Sequence, residues 1–245
     1  MTVAVLADVY GVLPALDAVL AEPDVIAAER IVGLGDIAAG PEPGAVLDRL
    51  MALGDRVVWI RGNADREMVE HRNGAPIADP ITRWAASQLS DEHLSRLASL
   101  PPSATIAVAG LGRLLFCHAT PRSDEEVVLV DAAPARWTDA FGHLPVDVDG
   151  VVCGHTHMPS IRLAAGQLVI NPGSVGMRYG RAGAHWALPG PGVGLRRTLF
   201  DVEAACAAVM ARCGFPDIRF WVDDVIRTPA SDFDAMATFA IKQAE

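Results

Sequence analysis

Six side chains suited to holding metal ions stand at one kind of place in this sequence, just past a short apolar run. Asp8 follows Val3-Ala4-Val5-Leu6-Ala7, Asp36 follows Ile31-Val32-Gly33-Leu34, and Asn63 follows Val57-Val58-Trp59-Ile60. His118 follows Leu114-Leu115-Phe116-Cys117, and His155 and His157 follow Val151-Val152-Cys153. Carboxylate, amide oxygen and imidazole together suit Mn, Fe, Zn or Co better than an all-oxygen calcium site or a thiolate zinc site. A carboxylate can bridge two ions, and such a pair can activate water and clamp the oxygens of an in-line displacement at phosphorus. Taken singly, Asp8 could merely end a strand, Asn63 could sit in a turn and His118 could be a satisfied buried histidine. The ordered set carries the chemistry. A second Gly-Asp pair, Gly54-Asp55, precedes an apolar run instead of following one and reads as a turn.

The apolar runs are short and rich in β-branched residues, as buried strands are, and Leu168-Val169-Ile170 adds another. Apolar residues at helical spacing over Leu13 to Ala28, and again over Ala45 to Leu53, predict helices between the first three strands. That opening is the signature of a sheet covered by helices, whose carboxyl edge collects ligands. Met68 to Leu100 reads as helices, with Ser90 capping the last and Pro101-Pro102 ending it. Strands are expected to dominate from there to about Phe200. Asp201 to Cys213 reads as a helix with Gly214 in the stop position, and Asp232 to Lys242 as another. The economical reading of the 245 residues is one α/β domain, with a core over about 2–200 and a helical extension over about 201–245.

Composition sets outer limits. The chain carries 20 Lys and Arg against 30 Asp and Glu, a formal charge of -10, which argues against a duplex nucleic acid as partner. A phosphate substrate is compatible with it, because bound cations can reverse the local field. Cys117, Cys153, Cys206 and Cys213 lack Cys-x-x-Cys spacing and fit reduced thiols in a cytoplasmic protein. The apolar start lacks a basic leader and meets Asp8 at once, unlike a signal peptide. No apolar stretch approaches the ~18 residues of a membrane span.

The order Asp8-x-Tyr10-Gly11, Gly35-Asp36, Gly62-Asn63-x-Asp65, His118, Gly154-His155-x-His157 resembles the calcineurin-like metallophosphoesterases from Thr2 to about Phe200. Asn171-Pro172-Gly173-Ser174-Val175-Gly176 is similar to a loop in their small, stand-alone bacterial and archaeal branch. The resemblance implies a sandwich of two mixed β-sheets flanked by α-helices. It also implies two transition-metal ions, one on Asp8, Asp36 and His157 and the other on Asp36, Asn63, His118 and His155, with Asp36 bridging. The activity implied is hydrolysis of a small phosphodiester or phosphomonoester by a hydroxide held at the metal pair. The alternative is a binding or scaffold protein that keeps the fold with weakened catalysis.

Two departures keep that alternative open. Tyr10 stands where the family has a metal-binding His, and a phenol ligates only as phenolate, with an ordinary pKa near ~10. Tyr10 therefore either binds an ion as acidic as ferric iron, turns away, or offers its hydroxyl to substrate. Ala64 stands where many members carry a His that protonates the leaving group. Asp65 either orients a ligand or supplies the acid itself. Among the arginines near the motifs, Arg61, Arg66, Arg122 and Arg178, the last is the preferred substrate contact. His185 is expected to be structural, His71, His93 and His143 to lie at the surface, and Phe220 and Trp221 to be either core or contact surface.

Overall fold

The computed structural model describes residues 1–228 and 230–244, with side chains described through residue 240. Its frame is two five-stranded mixed sheets packed face to face, with helices on the outer faces. The first sheet has at its centre β1 (Val3–Leu6), with β2 (Arg30–Gly33) and then β3 (Val57–Trp59) parallel on one side. On its other side β9 (Ala184–Pro189) and then β10 (Val193–Thr198) run antiparallel to their neighbours. The second sheet runs β4 (Ser103–Val108), β5 (Gly112–Cys117), β6 (Gly150–Val152), β8 (Gln167–Asn171), β7 (Ser160–Ala164). There β5, β6 and β8 are parallel and the outer pairs antiparallel.

Strand periodicity of two explains why β1 is apolar throughout. Val3, Val5 and Ala7 face the inner layer with Val32, Leu34, Ile60, Phe116, Val152 and Ile170. Ala4 and Leu6 face the helices, joining Leu16 and Val19 of α1 (Leu13–Leu20) and Val46, Leu47 and Leu50 of α3 (Pro43–Met51). No side of the strand meets water, so no polar residue interrupts it until Asp8.

The strands and most helices lie where the sequence placed them, with four differences. The helical stretch after β1 is two helices, because Pro23 starts a new one, α2 (Pro23–Ala27), after the chain leaves α1 at Ala21. Asn63 opens α4 (Asn63–Arg72), ahead of α5 (Pro80–Gln88) and the Ser90-capped α6 (Asp91–Ala98). The region expected to be strands also holds α7 (Pro134–Phe141), whose Trp137, Ala140 and Phe141 pack on Val151 and Val169. Finally, α8 (Val202–Arg212) begins on its Asp201 cap but ends through an extended Cys213, so Gly214 is not a left-handed stop. Beyond it come α9 (Ile218–Trp221), a π-helical stretch over Val222–Arg227 and α10 (Asp232–Ala244). Trp221 is buried in the helix-side core and Phe220 is exposed. Among the described residues no helix is long and apolar enough to cross a membrane.

Candidate metal centre

The ligand candidates converge because the parallel strands of both sheets end at one edge. Asp8 and Asp36 are fully buried, and His118, His155 and His157 nearly so. One ligand atom from each of Asp36, His118 and His155 lies within 4.8 Å of the others. Asn63 joins them, its Oδ1 3.2 Å from His118 Nε2, which is also 3.5 Å from Asp36 Oδ2. Asp8 and His157 make a second pair, with Asp8 Oδ1 3.3 Å from His157 Nε2. Every residue expected to ligate metal is thus at the same edge, in two adjoining groups.

The backbone is bent to bring them there. Asp8, Tyr10, Asp36, His155 and His157 all have φ between 47° and 65°, the left-handed region that non-glycine residues rarely occupy. Outside this site, Ala165 is the one other described non-glycine residue there. Each such residue costs on the order of 1–3 kcal/mol, a strain that clusters where function needs it. Two glycines are required by close approach. A Cβ on Gly62 would lie 2.2 Å from Asp36 Oδ1, and one on Gly154 2.7 Å from Asp8 Oδ2.

Hydrogen bonds fix how each ligand presents itself. The His118 Nδ1 atom is 2.6 Å from the Leu34 carbonyl oxygen, which can only accept. Nδ1 therefore carries the proton, and Nε2 is the atom aimed at Asp36 and Asn63. His155 Nε2 lies 3.1 Å from the Glu125 carbonyl oxygen, which by the same logic turns Nδ1 into the cluster. Asn63 Nδ2 donates to Glu67 at 3.2 Å, leaving Oδ1 toward His118. The sequence reading missed Glu67, although its i, i+4 relation to Asn63 on α4 is a legible signal. The loop resembling that of the small branch is a brace. Ser174 Oγ donates to the Asp8 carbonyl at 2.7 Å and Asn171 Nδ2 to the Gly154 carbonyl at 2.8 Å.

The donor set fits cations. Asp8 Oδ1 is buried with no hydrogen-bond partner, and a buried carboxylate oxygen calls for a positive charge. Burial alone would depress the His118 pKa, but the Asp36 and Asp8 carboxylates outweigh it and push it up to about 10. Burial works against ionisation of Asp36 too, yet His118 and His155 hold its carboxyl well below the usual range. The protein thus stabilises a proton on His118 where a metal ion would supply the charge.

The uncertain residues resolve differently. Tyr10 donates its hydroxyl to Asp36 Oδ2 at 2.8 Å, and burial followed by the Asp36 charge raises its pKa well above the ordinary value. Asp65 is fully buried, with Oδ2 accepting from the Asp36 and Gly62 amides and Oδ1 from that of Ile37. Burial and then the Asp36 charge raise its pKa to about 6. Ala64 points its methyl into the helix-side core while its amide donates to Asp36 Oδ1 at 2.9 Å. Arg178 is buried, bonded at Nη1 to the Val225 carbonyl, and lines a cavity with Asp224 and Asp234. The structure does not bring it to the ligand cluster. Arg61, Arg66 and Arg122 do adjoin His118, around one cavity. His185 is buried, His143 exposed, and His71 and His93 are half-buried, His93 against Asp48. Over His155 and His157 lie the rings of Phe239 and Tyr179, from α10 and the segment after the bracing loop, at centroid distances of 5.7 to 6.2 Å.

Two sheets that deliver buried Asp and His and a half-buried Asn from their carboxyl edges define a metallophosphoesterase architecture. The calcineurin-like phosphoesterase superfamily domain matches residues 1–188, and the chain belongs to that superfamily. An uncharacterized protein of Methanocaldococcus jannaschii is 26% identical over 183 residues, 71% of this chain and 69% of that one. A metallophosphoesterase from Sphaerobacter thermophilus superposes with a TM-score of 0.68 at 25% identity, over 91% of this chain and 98% of that one. A hypothetical protein of Pyrococcus horikoshii, 20% identical, shares the fold with a TM-score of 0.76 over 94% and 99% of the two chains.

Proposed function

We propose that this chain is a metal-dependent phosphoester hydrolase acting on a small phosphodiester or phosphomonoester. The observation that carries the reading is the buried cluster of Asp36, His118 and His155, with Asn63 in contact and the Asp8–His157 pair beside it. On this reading Asp36, Asn63, His118 and His155 hold one ion, Asp8, Asp36 and His157 hold a second, and Mn, Fe, Zn or Co suits the donors. Bound there, the ions would activate water as nucleophile and neutralise charge on the phosphoryl oxygens. The chain's own contribution is rigidity: Leu34 and Glu125 fix the imidazoles by their carbonyls, Glu67 fixes Asn63, and Asp65 fixes the backbone around Asp36.

The test is elemental analysis of protein purified without added metal, paired with a phosphoester substrate panel. Asp36→Ala should empty both sites and abolish turnover, and Asp8→Ala should spare the ion at Asn63, His118 and His155. Full metal content in the Asp36→Ala protein would sink the assignment. The second reading, a binding protein with weakened catalysis, draws on Tyr10, whose hydroxyl engages Asp36, the carboxylate that both ions would need. It predicts weak metal content, or metal without turnover across the panel.

A further inference from the structure

Beside His118 the surface opens into a cavity of about 370 Å³ walled by Arg61, Arg66, Arg122, Thr120, Ser123 and Asp124. Three arginines and one aspartate line it, and the carboxylates of Glu70, Glu125, Glu126 and Asp139 offset two of the arginine charges from behind. Two of the guanidinium groups are committed to the protein. Arg66 donates to both oxygens of Asp124 and also meets Glu70 and Glu125. Arg122 is held by Glu126 and Asp139.

Arg61 is different. Among the described residues its side chain makes no hydrogen bond. Its Nε is buried without an acceptor, and the nearest carboxylate oxygen, Asp124 Oδ2, is 3.8 Å away and already accepts from Arg66 Nε. The side chain is one-third exposed, toward the cavity. Its backbone is pinned, with the amide donating to the Pro101 carbonyl at 2.9 Å between buried Ile60 and the Gly62 cap of α4. A guanidinium has five donors in a planar fork that matches a phosphate edge. Nε itself is covered and faces Asp124, so the donors open to an incoming oxyanion are those on the exposed part of the fork, toward the cavity. At about 30 Å³ per water the cavity has room for roughly a dozen, more than one tetrahedral phosphoryl group requires.

We propose that Arg61 is a specificity-determining residue that receives a second phosphoryl group of the substrate, a few bonds from the phosphorus held at the metal centre. The substrate class is then a phosphoester bearing two phosphoryl groups. This rests on the hydrolase reading for what happens to the substrate, while the preference for two phosphoryl groups can be measured by binding alone.

The experiment is calorimetric titration of the metal-loaded protein with methylenediphosphonate and with methylphosphonate, metal content being checked afterwards. The wild-type protein should bind the diphosphonate at least about tenfold more tightly, as one charge-assisted bidentate contact provides. Arg61→Gln should bring the two probes within about threefold of each other, and Arg61→Lys, which keeps the charge and loses the fork, should fall between. Arg61→Lys answers the question if the Gln variant folds poorly. A wild type without preference, or a preference untouched in both variants, overturns the proposal. A parallel assay with p-nitrophenyl phosphate keeps the two readings apart. Absence of turnover with the binding preference intact removes the hydrolase and leaves Arg61 as an anchor for diphosphoryl ligands.

Discussion

The hydroxyl of Tyr10 donates to Oδ2 of Asp36 across 2.8 Å, so this residue binds the carboxylate of the Asp36–His118–His155 cluster instead of presenting a lone pair to it. Burial and the charges of Asp36 and Asp8 all favour the neutral phenol. Of the three courses open to Tyr10, this geometry disfavours ligation of an ion.

The first prediction follows directly. Iron-loaded protein should lack the visible charge-transfer absorption of an iron-phenolate pair. Tyr10→His should raise metal content toward two ions per chain, because neutral imidazole ligates divalent ions and neutral phenol does not. Elemental analysis and an absorption spectrum decide it. A visible band that disappears in Tyr10→Phe would show that the phenolate does bind the metal.

A second prediction concerns the aromatic cover. Phe239 is buried against His155 and His157 with Tyr179 beside it, and α10 is seated through Phe239 and Ala235 on Val127, Leu129 and Met158. Removing a buried phenylalanine costs on the order of 3–5 kcal/mol. That contact is local to α10, so Phe239→Ala should loosen the helix more than it lowers the main unfolding transition. Metal release to a chelator should quicken at least severalfold, followed by elemental analysis over time. An unchanged release rate would show that α10 does not shield the centre.

Much of this was readable beforehand because two levels of pattern agreed. Val3 to Ala7, buried on both faces, is apolar without interruption, and the metal-binding types come where such runs stop. The two-sheet sandwich came from the family resemblance, not from periodicity. Pro134-Ala135-Arg136-Trp137 was harder to read as a helix, since α7 is short and its apolar face shows only against β6 and β8. Arg178 illustrates the other limit: adjacency to a motif loop in sequence does not say that its buried side chain bonds to the Val225 carbonyl. The cover by Phe239 depends on contacts between residues far apart in the chain, for which a single sequence carries no signal.

The third prediction concerns pH. Glu126 accepts from Arg122, Arg136 and Thr120, and the Arg122 bond above all lowers its pKa from 4.5 to about 2. A depressed carboxyl contributes stability that is present above the unfolded pKa and lost as pH falls through the folded one. Glu126→Gln should therefore cost about 1–3 kcal/mol at pH 7. The difference from wild type should shrink as pH drops from about 4.5 toward 2. Urea unfolding at several pH values measures it. A gap that stays constant down to pH 2 would mean that Glu126 acts through packing and not through its charge.

The last prediction comes from what surrounds the departing oxygen. In phosphoester hydrolysis that oxygen gathers negative charge, and a positioned acid that protonates it contributes about 10²–10⁴-fold. Ala64 offers only a methyl group, turned into the helix-side core. Asp65, the nearest acidic alternative in sequence, has both oxygens occupied by the amides of Asp36, Ile37 and Gly62, so it has no oxygen turned to a substrate. Its work is to hold the turn that carries Asp36. A leaving group that needs no proton should then depart far faster than one that does. Across substituted phenyl and alkyl phosphoesters, the rate should fall steeply as the leaving-group pKa rises, with nitrophenyl esters at the fast end. Placing a histidine at residue 64 should not rescue the alkyl esters, because the side chain there points into packed core and a larger one costs about 1–3 kcal/mol of overpacking. The measurement is a rate series for the wild type and Ala64→His. A flat dependence in the wild type would show that another group already delivers the proton, and a flattening in Ala64→His would show that residue 64 faces the substrate after all.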